Sequence, residues 1–216
     1  MSVATENFLK AIYHSKHRHL GDTKPGTIAK RLDISNAAAT DMARKLAKKE
    51  LIVYEKYKEL VLTEKGERMA LKVLRKHRLW EAFLFKLFDI SLHEIHREAE
   101  LLEHETSDFM ADKIDEYLGH PLFDPHGDPI PDANGVIKTK DTSTVLSEAE
   151  EGKEYRISRL ISMDKEFFDF CSENGLHNRA KVFIKKQYAS TGMTQIVIDG
   201  QTLLLHKEFT KIIYVN

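Results

Sequence analysis

Apolar residues in the first quarter of the chain recur at helical spacing and are interrupted at short intervals by polar caps and turns. Phe8, Leu9, Ile12 and Tyr13 share one face, which predicts a first helix over residues 5–17. Residues 21–26, with Gly21, Pro25 and Gly26, form a turn. Residues 27–32 predict a short second helix, broken by Asp33-Ile34-Ser35, and Ser35 is a suitable N-cap for a third helix over residues 36–50. A short helix, a tight turn and a longer capped helix are the helix-turn-helix pattern. The apolar, partly β-branched residues 51–54 and 60–62 flank Glu55-Lys56-Tyr57-Lys58-Glu59, a β-hairpin placed where a winged helix keeps its wing.

Thr63-Glu64-Lys65-Gly66 opens a long helix predicted to reach about residue 88. Ser91 caps another predicted to run to about residue 118, where Gly119-His120-Pro121 ends it. Residues 124–131 are a Pro-rich turn, and residues 132–152 are polar, acidic and without periodicity, as in a linker. From Tyr155 onward the pattern changes to short strands at 181–184, 195–198, 202–205 and 212–215, with Asp199-Gly200 as a hairpin turn. The expected protein is mainly α with a C-terminal β domain. It comprises a winged helix-turn-helix (1–63), a helical domain (64–131), a linker (132–152) and a small β-barrel (153–216). No internal repeat is present.

Composition adds an asymmetry. The 216 residues carry a net charge of −1, but Lys and Arg outnumber Asp and Glu by 19 to 10 over residues 1–86, whereas acids outnumber bases by 13 to 2 over residues 87–132. A basic first part suits a polyanion, and an acidic, His-containing second part suits cations. Cys171 is the only cysteine, so no internal disulfide can form, and the first residues lack the layout of a signal peptide. No apolar run is long enough to span a bilayer. These features point to a cytoplasmic protein without a membrane partner.

A recognition helix needs small or polar residues at its exposed first turn and cations further along to hold phosphates. Ser35, Asn36, Ala37, Ala38, Thr40 and Asp41 meet the first need, with Thr27 on the preceding helix as a further candidate contact. Arg44, Lys45, Lys48 and Lys49 meet the second, and Lys56 and Lys58 place charge on the wing. The alanines cannot donate hydrogen bonds, so readout rests on thymine methyls and DNA shape.

The densest chemistry lies between His96 and His104. At about 100° per residue, Glu100, Glu103 and His104 fall within an arc roughly 100° wide that includes His96. Two carboxylates and two imidazoles on one helix face are costly to bury without a cation. His77 and Glu81 form an i, i+4 pair on the preceding helix and, if the two helices pack antiparallel, meet His96 in a separate site. The spacing fits neither a zincin, which needs two His flanking a Glu at i, i+4, nor a ferritin-like centre. Two other readings stay open: a helical His/Glu metalloenzyme, and a metal-independent winged-helix regulator whose acidic cluster is a solvated face.

With these residues in view, the chain resembles the iron- and manganese-dependent repressors of the diphtheria toxin repressor family. The resemblance covers nearly the whole chain and is carried by Arg75-Lys76-His77-Arg78-Leu79-x-Glu81, by His96-x-x-x-Glu100-x-x-Glu103-His104, and by Pro125-His126-Gly127-Asp128-Pro129-Ile130-Pro131. It implies a repressor that binds a palindromic operator as a homodimer, an SH3-like C-terminal domain, and no small-molecule substrate. It further implies a primary metal site of Asn7, Glu100, Glu103 and His104. An ancillary site would use His77, Glu81 and His96 with Asp124, His126 and Asp164, Glu166 lying close enough in sequence to exchange with Asp164. Glu100 stands where iron-type members commonly carry Cys, and this added hard oxygen favours Mn2+. Fe2+ is the alternative, and Co2+ or Zn2+ could enter the same sites. Manganese-type members usually place Asp where this chain has Asn7. Lys10 stands where short manganese regulators offer an acid, which argues against their two-metal pair.

Overall fold

The computed structural model describes residues 2–17, 21–139, 142–162 and 164–216. The chain forms two compact units. One comprises Met1–His77, Glu100–Lys113 and Pro131–Val136, and the other Arg78–Ala99, Ile114–Ile130 and Ile137–Asn216. The helical stretch expected as a domain of its own is therefore shared between them.

In the first unit, α1 (Val3–His17) buries Phe8, Leu9, Ile12 and Tyr13, the residues whose spacing predicts it, together with Ala11. α2 (Pro25–Arg31) starts on a proline, whose missing N–H is not needed at a helix start. Asp33, at φ 50°, makes the turn into α3 (Asn36–Lys48). The Ser35 side chain accepts the Ala38 amide at 3.1 Å and caps α3. That helix ends at Lys49 and Glu50, the latter at φ 58°, with the Leu51 amide returning to the Leu46 carbonyl at 3.0 Å. The wing is short: β1 (Ile52–Val53) pairs antiparallel with β2 (Val61–Leu62), and Tyr57 at its tip is 83% exposed. Thr63 then donates to the Glu50 carbonyl (2.7 Å) and accepts the Gly66 amide (3.1 Å), starting α4 (Glu64–Leu87). Gly66 is required here, because a Cβ would meet the Leu51 carbonyl oxygen at 1.9 Å.

The helix expected from Ser91 to about residue 118 is two helices, α5 (Leu92–Leu102) and α6 (Asp108–Leu118). The break has a local cause. The Thr106 hydroxyl donates to the Leu102 carbonyl at 2.6 Å, and Ser107 caps α6 by accepting the Met110 amide at 3.1 Å. Glu103 and His104 therefore lie in the turn after α5 and not on its regular face. α6 ends at Gly119 and His120, both at positive φ.

In the second unit, six strands form one antiparallel sheet in the order β3-β8-β4-β5-β6-β7. They are β3 (Thr144–Val145), β4 (Glu154–Leu160), β5 (Lys181–Tyr188), β6 (Met193–Ile198), β7 (Gln201–His206) and β8 (Ile213–Val215). Asp199 and Gly200, both at positive φ, join β6 to β7 as the sequence predicts. Alternate residues Ile184, Ile196, Ile198 and Val182 point into a core closed by Phe167, Phe168 and Cys171 of α7 (Lys165–Glu173). That helix was not predicted: Phe167-Phe168-Asp169-Phe170-Cys171 is a short apolar run that periodicity alone does not distinguish from a strand. The short α8 (Lys207–Thr210) follows β7. Residues 132–152, expected as a linker, contribute β3 and a 3-10 turn whose Leu146 is fully buried in the β core. Positions 140 and 141 of that stretch lie outside the described residues. Among the described residues, no helix is long and apolar enough to cross a membrane.

Candidate metal centre

In the first unit, α1, the C-terminal half of α4 and the end of α5 bring six ionisable side chains together. Glu103 is the hub: its side chain has no exposed surface, and each of its oxygens is engaged. Oε2 accepts from His77 Nδ1 at 2.7 Å, while Oε1 lies 2.5 Å from Lys10 Nζ and 3.1 Å from His104 Nε2. Glu100 Oε1 accepts from the same Lys10 ammonium at 2.7 Å and lies 3.6 Å from His77 Nδ1. Glu6 Oε2 accepts from His104 Nδ1 at 2.6 Å, which orients that imidazole with Nε2 toward Glu103.

Asn7 adds the observation that tests a metal at this place. It lies between Glu6 and Lys10 on α1, and its Oδ1 is buried with no hydrogen-bond donor among the described residues. An orphaned carbonyl oxygen on the helix that supplies Glu6 and Lys10 to this cluster, together with its carboxylates and imidazoles, is a donor set that a hard or borderline divalent cation satisfies. The residues present fit such an ion. Of the four expected primary ligands, Glu103 touches His104 at 3.1 Å, and Glu100 is joined to Glu103 through the shared Lys10 ammonium. His77, expected in the ancillary set, has its Nδ1 bonded to Glu103 Oε2 at 2.7 Å.

A second cluster lies wholly in the second unit. His96 Nδ1 donates to Glu81 Oε1 at 2.9 Å, and His126 Nε2 lies 3.4 Å from that oxygen. One ligand atom from each of Glu81, His96 and His126 falls within 4.8 Å of the others, as one metal ion requires. His126 comes from the Pro-rich loop. The Asp128 amide donates to Asp124 Oδ1 at 2.9 Å, and Arg78 donates to the Pro129 carbonyl, so the loop is closed on itself and held to α4. The loop is also docked on β4, where the Leu160 amide donates to the His126 carbonyl at 3.0 Å. Gly127, at φ 93°, allows this approach.

The electrostatics of this cluster favour a cation. Burial holds the Asp124 carboxyl well above its ordinary value of 3.8, and the nearby charges of Glu81 and Asp128 push the same way. For His126, burial works to lower the pKa, but the hydrogen-bonded Glu81 carboxylate, with Asp124 and Asp128, raises it overall. Asp164 is not among the donors gathered here: it is exposed, and its Oδ1 caps α7 by accepting the Glu166 amide at 2.9 Å. One turn further along α7, Phe168 packs on the His126 ring at 5.2 Å between centroids.

The winged helix presents its polar face openly. Ser35, Asn36, Ala37, Ala38, Asp41, Arg44, Lys45, Lys48 and Lys49 are exposed, and Thr40 and Thr27 partly so. Several of the expected contacts have intramolecular partners. Lys45 bridges to Asp41 at 2.7 Å, holding the Asp41 carboxyl below its usual range, and Thr27 donates to Asp22. On the wing, Lys58 pairs with Glu55 at 2.5 Å, and Lys56 lies 4.8 Å above the Tyr57 ring.

Glu6 and Asp128 are site residues that the sequence does not single out, and Lys10 is singled out there only as standing where short manganese regulators offer an acid. Glu6 and Lys10 flank Asn7 at helical spacing, a signal that was available. Asp128 belongs to the quoted loop motif but was read only as turn.

A winged helix combined with buried clusters of carboxylates and imidazoles defines a class of protein, the metal-responsive DNA-binding regulators. Comparison with known proteins narrows the class. Residues 1–60 match the family described as the iron dependent repressor N-terminal DNA binding domain, and residues 63–132 match the iron dependent repressor metal binding and dimerisation domain. A solved manganese-dependent transcriptional repressor in complex with manganese superposes with a TM-score of 0.91 at 30% identity, covering 98% of this chain and 99% of that one. MntR of Listeria monocytogenes is 32% identical over 138 residues, 64% of this chain and 92% of MntR. The iron-dependent repressor IdeR of Mycobacterium tuberculosis is 32% identical over 127 residues, 59% of this chain, and the match spans 55% of IdeR's length. The chain belongs to the family of iron-dependent, diphtheria-toxin-repressor-type DNA-binding repressors. Its relatives are regulators, and the metalloenzyme reading is set aside.

Proposed function

We propose that this protein is a metal-activated transcriptional repressor that senses Mn2+, with Fe2+ as the alternative, and binds a palindromic operator as a homodimer in the cytoplasm. The observation that carries the reading is the meeting of α1 of the winged helix with Glu100, Glu103 and His104, together with the buried, unpartnered Oδ1 that Asn7 adds on α1. A cation held by these four residues ties the first helix of the DNA-binding part to the end of α5, restricting how the recognition helix is presented. Two copies of α3 then enter successive major grooves, about 34 Å apart on B-DNA. Ser35, Asn36, Ala37, Ala38 and Thr40 face the bases, and Arg44, Lys48, Lys49, Lys56 and Lys58 face phosphates. Glu81, His96, Asp124 and His126 hold a second, ancillary ion. The oxygen-rich donor set of the first site, three oxygens to one imidazole nitrogen, supports Mn2+ over softer metals.

Linkage requires that metal and DNA each strengthen the other's binding. The test is fluorescence anisotropy on a DNA duplex selected from a random pool by the Mn2+-loaded protein, with Mn2+ and with chelator. Binding should require Mn2+, and Glu103→Ala should lose the Mn2+ response. Equal DNA affinity with and without Mn2+ in the wild type overturns the reading.

A further inference from the structure

The Lys10 ammonium sits where a cation is wanted. Its Nζ lies 2.7 Å from Glu100 Oε1 and 2.5 Å from Glu103 Oε1, two of the oxygens assigned above to the primary ion. The side chain is only 9% exposed, and the Glu103 side chain has no exposed surface, so this is no solvent-screened surface pair. Lys10 is the one Lys or Arg of α1 placed among these carboxylates. Lys16, the next along, is exposed in the last turn.

We propose that Lys10 is a resident, covalently tethered cation of the primary site, and that a divalent ion binds there by displacing its ammonium. The inference rests on Glu100 and Glu103 being metal ligands. Its physical basis is competition for the same charge. A divalent ion at the Glu100 and Glu103 oxygens stands a few ångströms from Nζ, and in a buried setting two cations at that distance repel strongly. The lysine stem is flexible enough for the head to swing away. Two consequences follow. With metal absent, Lys10 keeps α1 attached to the end of α5, so the site stays folded and its carboxylates stay neutralised. With metal arriving, each hydrogen bond from the ammonium must be given up, which raises the metal concentration at which the site fills. Lys10 is thus a determinant of the sensor's threshold, and it does so without being a ligand.

The experiment uses the full chain in a Glu81→Gln background, so that Mn2+ uptake reports the primary cluster. Mn2+ binding is followed by loss of the free-ion paramagnetic resonance signal, for the Lys10 parent and for Lys10→Met, which keeps the stem length and removes the charge. Lys10→Met should bind Mn2+ on the order of tenfold tighter or more, the scale of one charge-assisted hydrogen bond. Metal-free Lys10→Met should melt below its parent and recover once Mn2+ is added. A second measurement needs no variant at Lys10. Acetylation of lysines followed by peptide mass spectrometry should find Lys10 protected in metal-free protein and several-fold more reactive when Mn2+ is bound. Equal or weaker Mn2+ binding by Lys10→Met overturns the proposal, as does a Lys10 that stays protected in Mn2+-loaded protein. Failure of the functional reading looks different: Mn2+ uptake would then be absent, or unaffected by Glu103→Ala, in both backgrounds.

Discussion

The carbonyl oxygen of Ser158 lies where a side chain on Gly127 would begin, so that a Cβ built there would be 1.8 Å away. The Pro-rich loop can therefore rest on β4 only because residue 127 has no side chain. Two residues further along β4, the Leu160 amide holds the His126 carbonyl at 3.0 Å, and this seats the imidazole over Glu81. Gly127→Ala should lift the loop, at a cost of roughly 2–4 kcal/mol from the clash and the left-handed backbone. Calorimetry should show a melting point lower by about 5–15 °C. Binding of the more weakly held of two Mn2+ equivalents should be impaired, with the primary site unaffected. A Gly127→Ala protein with wild-type melting and wild-type Mn2+ stoichiometry would contradict this account of the loop.

Asp124 stands in a different relation to the same cluster. Its carboxyl is buried, and the charges of Glu81 and Asp128 oppose its ionisation, so the folded protein binds its proton more tightly than the unfolded chain does. For a raised carboxyl, stability contributed at low pH is lost as pH climbs above the ordinary value of 3.8. Asp124→Asn keeps an acceptor for the Asp128 amide and removes the charge. In chelator, the variant should be more stable than wild type at pH 7 by roughly 1–3 kcal/mol, and the advantage should shrink as pH is lowered toward 4. Ancillary metal affinity should fall at the same time. A variant less stable than wild type at pH 7 in chelator would show that the negative charge is already compensated, as by Arg78, whose Nε lies 3.8 Å from Asp124 Oδ2.

How much of this was legible in the sequence depended on whether the signal was local. Ser35, the α3 spacing and the charged hairpin are local features, and the winged helix could be read from them. The ligand types on α5 were equally visible. The interruption of the helix after Leu102 was not, because Leu102, Thr106 and Phe109 continue a helical spacing, and only the hydroxyl bonds of Thr106 and Ser107 stop the helix. Partners distant in sequence were also hidden. Glu6 meets His104 across 98 positions, and His77 meets Glu103 across 26. The helix α7 lies within a stretch whose pattern predicts strands, because a short apolar run fits both element types.

Cys171 lies at 1% exposure in the core of the β domain, and burial pushes its thiol up to about 12. The thiolate is the reactive form, so the native protein should not react with iodoacetamide at pH 8 on a time scale of hours. Labelling should appear only as the β domain opens, and its rate should rise along the same denaturant curve as the loss of β-sheet circular dichroism. Fast labelling in native buffer would mean that the core around Phe167 and Phe168 opens locally.

The wing offers a separable test of DNA contact. Lys56 and Lys58 are exposed on either side of Tyr57, and Arg44 is exposed on α3. A phosphate contact contributes affinity through counterion release, which makes it salt-dependent but indifferent to base sequence. Lys56→Ala should weaken binding of the selected duplex and of a scrambled duplex by similar factors. It should also lower the slope of log affinity against log salt by about one unit per site occupied. Ala38 sits on the first turn of α3, capped through its amide by Ser35. Ala38→Glu leaves that backbone bond in place but puts a carboxylate against the base edges, so it should abolish preference for the selected duplex while leaving melting unchanged. If Lys56→Ala instead altered sequence preference and Ala38→Glu left it intact, the wing and not α3 would be the reading element.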